Sequence, residues 1–174
     1  MTDILKIKAF AFDVDGVATD GDILCNPDGD LLRTYDAKDG FGIRMACMNG
    51  YPVAVITGGR SESILKRMLT SGIRPENVYL GSRNKIEDFM DFCFRVHLQP
   101  DEVMYFGDDV PDIEVMQACG CSVCPSDAME DVRAIADIVS PRPGGKGCLR
   151  HAMEQVMKAQ GRWNFDSLLY KKLF

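Results

Sequence analysis

The sequence predicts an α/β fold: a Rossmann-like, doubly wound parallel sheet flanked by helices, with a small β-hairpin insertion and no cap domain. Short apolar runs alternate with segments of helical periodicity, as in parallel sheets that are covered on both faces. One segment interrupts this alternation with two short apolar stretches around an Asp-Gly turn, which is typical of a hairpin. The 174 residues suit one domain, 1–174, with the hairpin at about 20–36 and a C-terminal helix and tail at about 147–174.

Six apolar runs predict the strands of the sheet, because buried parallel strands are nearly continuous in apolar residues. The four strongest runs are Ile7–Phe12, Tyr51–Ile56, Val78–Leu80 and Val103–Phe106, and the two weaker ones are Cys121–Cys124 and Ile138–Val139. The hairpin is predicted over Ile23–Tyr35, with Asp28-Gly29 in its turn.

Helix-like segments separate these strands. In the segment 85–96, apolar residues recur at the spacing of one helical face: Ile86, Phe89, Met90, Cys93 and Val96. The predicted helices are Gly42–Met48, Glu62–Thr70, Lys85–Val96, Ile113–Ala118, Met129–Ile135 and Leu149–Ala159. This alternation of strand and helix is what predicts parallel pairing.

Composition and charge argue against several classes of protein. A formal net charge of −6 disfavours nucleic acid as a partner. Since no apolar run approaches the roughly 20 residues that span a bilayer, and the N-terminus lacks the pattern of a secretory signal, no membrane partner is expected. Seven cysteines without such a signal indicate reduced thiols and a cytoplasmic protein. Cys119, Cys121 and Cys124 lack a nearby fourth ligand for zinc and are interpreted as packed thiols.

Polar residues follow each of the four strong strands. Ligands of open parallel sheets bind beyond the carboxyl ends of the strands, so these groups are expected to share one edge. A lone Asp-x-Asp pair is more often a turn or a solvated surface, but the ordered recurrence favours a shared site. The groups are Asp13 and Asp15, then Thr57-Gly58-Gly59, then Asn84-Lys85, and finally Gly107-Asp108-Asp109.

These residue types suit phosphoryl transfer. Asp13, Asp15 and Asp108 would repel one another at one edge, and Mg²⁺ is a cation that prefers such oxygen ligands. One carboxylate can attack phosphorus to give an aspartyl-phosphate, while a second protonates the leaving oxygen and then activates water. The Thr57 hydroxyl and the Lys85 ammonium would hold the phosphoryl oxygens.

The segments FDVDGV, VITGG, NK and GDDVPD resemble, in this order, the four motifs of the haloacid dehalogenase superfamily of phosphotransferases. The resemblance runs from about residue 6 to residue 157. It implies that Asp13 is the nucleophile and Asp15 the general acid/base, as in the phosphatases of the superfamily. Thr57 and Lys85 would bind phosphate.

The same resemblance implies the metal site. Asp108 would bind Mg²⁺ together with Asp13 and the backbone carbonyl of Asp15. Asp109 or Asp112 would support the metal shell and Lys85.

The segments DVDGVATDG, DAKDGFGIRMA and PGGKGCLR further resemble the 3-deoxy-D-manno-octulosonate 8-phosphate phosphatases, which serve lipopolysaccharide biosynthesis. This implies a capless homo-oligomer, a tetramer as in those relatives, in which the hairpin of one subunit closes a neighbour's site and the C-terminal tail can contribute. The spacing agrees: the roughly 44 positions from Asp13 to Thr57, and the roughly 23 from Lys85 to Asp108, leave no room for a folded lid.

The sequence departs from these relatives after the threonine-glycine pair. Many relatives have arginine there, whereas this chain has Gly59 followed by Arg60. Two classes of alternative therefore remain: a phosphatase for another sugar acid phosphate, such as a nonulosonate 9-phosphate, and a non-catalytic assembly domain like those fused to sugar-acid cytidylyltransferases. The candidate substrate-binding residues are Thr57, Gly58, Arg60, Arg67, Lys85 and Lys146.

Overall fold

The computed structural model describes residues 3–174, and its centre is a six-stranded parallel sheet in the order β5-β4-β1-β6-β7-β8. Its strands are β1 (Ala9–Phe12), β4 (Val53–Thr57), β5 (Val78–Leu80), β6 (Val103–Phe106), β7 (Cys121–Cys124) and β8 (Ile138–Val139). A separate antiparallel pair is formed by β2 (Leu24–Cys25) and β3 (Leu31–Leu32). The predicted α/β class, with helices flanking a parallel sheet and a small hairpin inserted in the chain after β1, is confirmed.

Strand β1 lies in the middle of the sheet, with β4 on one side and β6 on the other. It begins two residues later than the sequence predicts, because Ile7 closes a short helical turn by donating its N–H to the carbonyl of Ile4. Strand β4 also begins two residues late and includes Thr57. All side chains of β1 and β4 are buried, which fixes the ends of both strands firmly.

The helices are α1 (Ala37–Met48), α2 (Glu62–Thr70), α3 (Lys85–Arg95), α4 (Ile113–Ala118), α5 (Glu130–Ile135), α6 (Cys148–Ala159) and α7 (Ser167–Leu173). Helix α1 begins five residues before the predicted Gly42, because the Asp36 carboxylate accepts from the N–H groups of Lys38 and Asp39 and caps it. Helix α6 receives its cap from elsewhere, since the Asp39 carboxylate accepts from the N–H groups of Gly147 and Arg150.

The two faces of the sheet carry separate apolar layers. On one face, Phe10 and Phe12 of β1 pack with α1 and α6, and on the other Ala9 and Ala11 pack with α3 and α4. The small alanines suit the second face because Phe89 and Phe92 of α3 fill the space against them. Burial on both faces holds β1 as a rigid support for the residues that follow it.

The hairpin leaves its apolar side chains in solvent. The side-chain oxygen Oδ1 of Asn26 accepts from the N–H groups of Asp28 and Asp30 and shapes the turn, and Gly29 adopts a φ of +86° there. Ile23, Leu24, Leu31 and Leu32 are all at least 40% exposed.

The C-terminal segment packs back on α1. Phe165 and Tyr170 contact the ring of Phe41, and Arg44 lies over the rings of Tyr170 and Phe174. Within residues 3–174, no helix has the length and apolar character needed to cross a membrane.

Candidate active site

Asp13 is mounted directly at the carboxyl end of β1. Its backbone N–H donates to the carbonyl of Phe106 on β6, which continues the strand pairing up to the site. One carboxylate oxygen accepts from the N–H of Val14 at 2.7 Å, and the other lies 2.9 Å from the Lys85 ammonium. Burial, and secondarily the charge of Asp112, raise the pKa of Asp13 to about 6.

Lys85, the first residue of α3, is held between two carboxylates. Its ammonium lies 2.9 Å from Asp13 and 2.7 Å from Asp112, and its side chain is only 7% exposed. Burial opposes the charged form, but the two carboxylates outweigh burial and raise the pKa of Lys85. Lys85 therefore stays cationic between two anions.

Asp112 is completely buried and accepts hydrogen bonds at both of its oxygens. Lys85 and the Tyr105 hydroxyl donate to one oxygen, each at 2.7 Å, and the backbone N–H groups of Asp108 and Asp109 approach the other at 3.2 and 3.4 Å. Its oxygens are saturated by these donors. Asp112 therefore acts as an anchor that orients Lys85 and the loop carrying Asp108.

Asp108, in the loop after β6, is built differently. Its Oδ1 atom is buried and has no hydrogen-bond partner among residues 3–174. Burial, and then the charges of Asp13 and Asp112, raise the pKa of Asp108 to about 8. The positive charge of Lys85 opposes this rise but does not outweigh it.

These three carboxylates fit a divalent cation. One oxygen each from Asp13, Asp108 and Asp112 lies within 4.8 Å of the others. Lys85 supplies one positive charge against three acids, and the buried Asp108 Oδ1 is left over. Carboxylate oxygens are the donors that Mg²⁺ prefers, and Asp13 and Asp108 are the two that remain available for it.

Gly16 allows Asp108 to come this close. A Cβ atom at Gly16 would lie 1.9 Å from Asp108 Oδ2, and the residue has a φ of +86°. On its other side, Gly144 of the PGGKG loop packs so closely that a Cβ there would lie 1.9 Å from the Gly16 carbonyl. Sequence reasoning missed both contacts, and the GxxTDG and PGG patterns were the available signals.

Asp15 points to a partner that the sequence did not suggest. Arg33, the residue after β3, donates from Nε to one Asp15 oxygen at 2.5 Å and from Nη2 to the other at 3.0 Å. Such a two-pronged pairing is the strong geometry for guanidinium and carboxylate. No local pattern signals it, because the two residues meet only through the fold.

Thr57 ends β4 beside this pair. Its hydroxyl oxygen accepts from the N–H of Gly59 at 3.1 Å, which leaves the hydroxyl proton free to donate. Gly58 has open space around its Cα, with only the Ser82 carbonyl within 4 Å of a Cβ placed there. Thr57 ends β4, the strand that pairs with β1, so it lies at the same carboxyl edge of the sheet as Asp13.

The side chains of the other predicted residues make contacts outside the acidic cluster. The exposed Asp109 carboxylate caps the following turn through the N–H of Val110. Arg60 is exposed and lies along Gly81, while Arg67 lies against Gly40 with its guanidinium over the Tyr35 ring. Lys146 lies 3.5 Å from Asp20.

Comparison with known proteins gives a consistent result. The family model for haloacid dehalogenase-like hydrolases matches residues 62–148. The 3-deoxy-D-manno-octulosonate 8-phosphate phosphatase KdsC of Salmonella typhi is 36% identical over 162 residues, 93% of this chain and 85% of the relative. A solved structure of this phosphatase from Yersinia pestis has a TM-score of 0.89 at 32% identity, with 92% of this chain and 85% of that chain covered. One from Moraxella catarrhalis, in complex with magnesium, phosphate and KDO, has a TM-score of 0.88 at 29% identity, with 92% and 91% covered.

This chain belongs to the haloacid dehalogenase-like hydrolases. Within that class, it belongs to the family of the 3-deoxy-D-manno-octulosonate 8-phosphate phosphatases, to which its curated relatives and solved neighbours belong. The family resemblance carried by the four motifs is confirmed.

Proposed function

We propose that this protein is a Mg²⁺-dependent phosphatase that hydrolyses 3-deoxy-D-manno-octulosonate 8-phosphate to the free sugar acid and phosphate, a step that supplies lipopolysaccharide synthesis. The observation that carries the proposal is the Asp13 carboxylate at the end of the central strand, 2.9 Å from Lys85 and beside the unpartnered oxygen of Asp108. The relatives act on this substrate by name, and their similarity spans most of the chain.

Asp13 is the proposed nucleophile. The hydrogen bond from Val14 and the ion pair with Lys85 fix its carboxylate, so that attack on phosphorus needs little reorganisation. The attack forms an aspartyl-phosphate and breaks the bond from phosphorus to the sugar oxygen. Lys85 and the Thr57 hydroxyl would then stabilise the phosphoryl oxygens as charge develops on them.

Asp15 is the proposed general acid/base. In the first half-reaction it gives a proton to the departing sugar oxygen, and in the second it takes a proton from the water that attacks the aspartyl-phosphate. Asp13, Asp108 and the Asp15 backbone carbonyl would hold Mg²⁺, which supplies positive charge that offsets the repulsion between the carboxylates and the phosphoryl group.

The proposed working unit is a homo-oligomer, a tetramer as the family resemblance implies. The support is the exposed apolar surface of the hairpin, since an isolated two-stranded ribbon buries too little to be stable alone. A neighbouring subunit would cover Leu24, Leu31 and Leu32 and, in return, receive a lid over its own site. A cytoplasmic location agrees with the seven free cysteines.

The decisive experiment measures phosphate release from three esters: 3-deoxy-D-manno-octulosonate 8-phosphate, a nonulosonate 9-phosphate and p-nitrophenyl phosphate. We expect the first to have the highest kcat/KM, turnover to stop in chelator and to return with Mg²⁺, and Ca²⁺ to support little turnover because of its longer bonds. A preference for the nine-carbon substrate would favour the alternative phosphatase. Absence of Mg²⁺-dependent release from all three would instead favour an assembly domain.

Asp13→Asn tests the proposed nucleophile with little change of shape, since the two side chains are nearly isosteric. We expect it to fold normally and to lose at least about 10³-fold in kcat, because the attacking group is removed. Activity within tenfold of the unaltered protein would refute Asp13 as the nucleophile.

A further inference from the structure

Arg33 occupies both oxygens of the carboxylate proposed as the general acid/base. Its Nε and Nη2 atoms donate to the two oxygens of Asp15 at 2.5 and 3.0 Å, and Nη1 donates to the Leu31 carbonyl at 3.2 Å. The Arg33 side chain is only 2% exposed, although it comes from a hairpin whose other side chains are largely in solvent. Arg33 is therefore a buried contact between the hairpin and the site.

This arrangement restricts the directions from which a substrate oxygen can approach Asp15. An oxygen that exchanges a proton with the substrate must approach the substrate oxygen to hydrogen-bond distance. Both oxygens of Asp15 are instead held by one guanidinium. Release of at least one of these hydrogen bonds by Arg33 would open Asp15 further to the substrate oxygen.

Another acceptor for Arg33 can be placed from Gly59. A Cβ atom at this residue would lie 3.4 Å from Arg33 Nη2, 3.4 Å from Thr57 Oγ1 and 2.7 Å from Ile64 Cδ1, so the guanidinium and the hydroxyl both approach Gly59, beside an apolar side chain. Thr57 is a proposed phosphate-binding residue. An anionic group of the substrate that reaches Thr57 would thus meet the guanidinium without a large movement of the hairpin.

We propose that Arg33 is a substrate-binding residue, whose guanidinium passes from Asp15 to the anionic oxygens of the incoming substrate and so frees Asp15 for proton transfer. The inference rests on the proposed phosphatase function and deepens it. Arginine suits this exchange because its planar donors match the oxygens of carboxylate and phosphate alike. Since Arg33 directly follows β3, binding of substrate is also coupled to the position of the hairpin.

The test compares Arg33→Met and Arg33→Lys with Lys66→Met, an exposed charge removed from the neighbouring helix α2 as a control. We expect Arg33→Met to raise the KM for p-nitrophenyl phosphate and the inhibition constant of inorganic phosphate by about tenfold or more, with kcat within threefold, because charge-assisted hydrogen bonds to the anion are lost. Arg33→Lys should give constants between those of the unaltered protein and those of Arg33→Met. Lys66→Met should change neither constant by more than twofold.

Two inhibitors identify which anion is bound. If inorganic phosphate inhibits Arg33→Met less strongly than the unaltered protein, Arg33 binds the phosphoryl group. If only the free sugar acid inhibits Arg33→Met less strongly, Arg33 binds the substrate carboxylate. A fall in kcat with KM and both inhibition constants unchanged would overturn the proposal, since Arg33 would then only position Asp15. Melting temperatures show whether each variant is folded.

A double-mutant cycle measures the exchange itself. Asp15→Asn weakens the pairing with Arg33, so we expect this variant to bind inorganic phosphate more tightly than the unaltered protein, as measured by calorimetry. When Arg33 is already replaced by Met, adding Asp15→Asn should give a smaller gain in affinity. An equal gain in both backgrounds would contradict the exchange. Because calorimetry needs no turnover, it tests Arg33 even if the unaltered protein fails to hydrolyse any ester.

Discussion

The acidic cluster at the strand ends buries charge against charge, whereas the neighbouring hairpin leaves apolar side chains in solvent. In the cluster, Asp13, Lys85 and Asp112 bond to one another or to buried backbone groups, and one oxygen of Asp108 is left over. In the hairpin, the Asn26 side chain accepts a hydrogen bond from the N–H of Asp30 in the turn, but Leu24 is 67% exposed. The first region thus offers oxygens that suit a small cation, and the second offers apolar side chains that suit contact with another protein surface.

This difference separates what the two regions contribute. The cluster gains its precision from β1 and its neighbours, which are buried on both faces. The hairpin has two residues in each strand and gains little order from its own pairing. We therefore expect changes in the cluster to affect the chemical step and changes in the hairpin to affect assembly and access.

Among the changes that leave every catalytic side chain in place, Gly16→Ala should disturb the cluster with the largest effect. The added Cβ would lie 1.9 Å from Asp108 Oδ2, so this carboxylate must move and the metal site with it. We expect kcat to fall about 10²-fold or more, since small displacements of catalytic groups are costly, and we expect the Mg²⁺ concentration at half-maximal activity to rise.

Gly29→Ala is the matched control for that change. Gly29 has the same φ of +86°, and a Cβ there meets nothing within 4 Å. The two variants share the backbone strain of a left-handed residue and differ in the contact with Asp108. Equal losses of activity in both would mean that strain, and not the Asp108 contact, is responsible.

Replacing Leu31 and Leu32 by aspartate should break the hairpin's contribution with a smaller effect. We expect light scattering to show dissociation, and the kcat/KM for the sugar acid phosphate to fall about tenfold, because water is no longer excluded by the lid. Activity toward p-nitrophenyl phosphate should change less. A monomeric variant with unchanged kinetics, or a fully active monomer of the unaltered protein, would refute the assembly.

The smallest expected effect concerns stability in chelator. The pKa of Asp108 is raised to about 8 and that of Asp13 to about 6, so the folded protein binds more protons than the unfolded chain between about pH 4 and pH 8. The free energy of unfolding therefore falls as pH rises through this window. We expect Asp108→Asn to melt about 3 °C higher or more at pH 8.5 in chelator, with a flatter pH profile.

Asp28→Asn, in the exposed turn of the hairpin, is the control and should leave the profile unchanged. Added Mg²⁺ should restore stability to the unaltered protein but not to Asp108→Asn, because ligand binding to the folded state stabilises it. A melting temperature that does not depend on pH in chelator would contradict the charge crowding inferred for the cluster.

Sequence reasoning predicted the strands well because β1, β4 and β6 are continuous apolar runs. It missed the first turn of α1, since Gly40 and Gly42 lower helix propensity while the cap that starts the helix comes from Asp36. It also gave no separate helix α7 in the tail. That helix packs on Phe41 and Arg44 through contacts distant in sequence.

For the site, the motifs named the residues that follow the strands, and the structure brings Asp13, Lys85, Asp108 and Asp112 together. Their catalytic roles stay predictions. The Arg33 pairing with Asp15 could not be predicted, because an arginine beside a two-residue strand has no periodicity that points to its partner. The same holds for the contact of Arg67 with the Tyr35 ring, since the two residues are distant in sequence.

The parallel order of the sheet has a consequence for the folding of the chain. Strand β1 pairs with β4 and β6, both distant from it in sequence, and such pairings close long loops and are slow to form. Asp13 and Asp108 therefore stay far apart, and their repulsion is absent, until β6 has docked. A nascent chain that has not yet been synthesised beyond β6 cannot assemble the cluster. Hydrolytic activity therefore arises only after most of the protein has been synthesised.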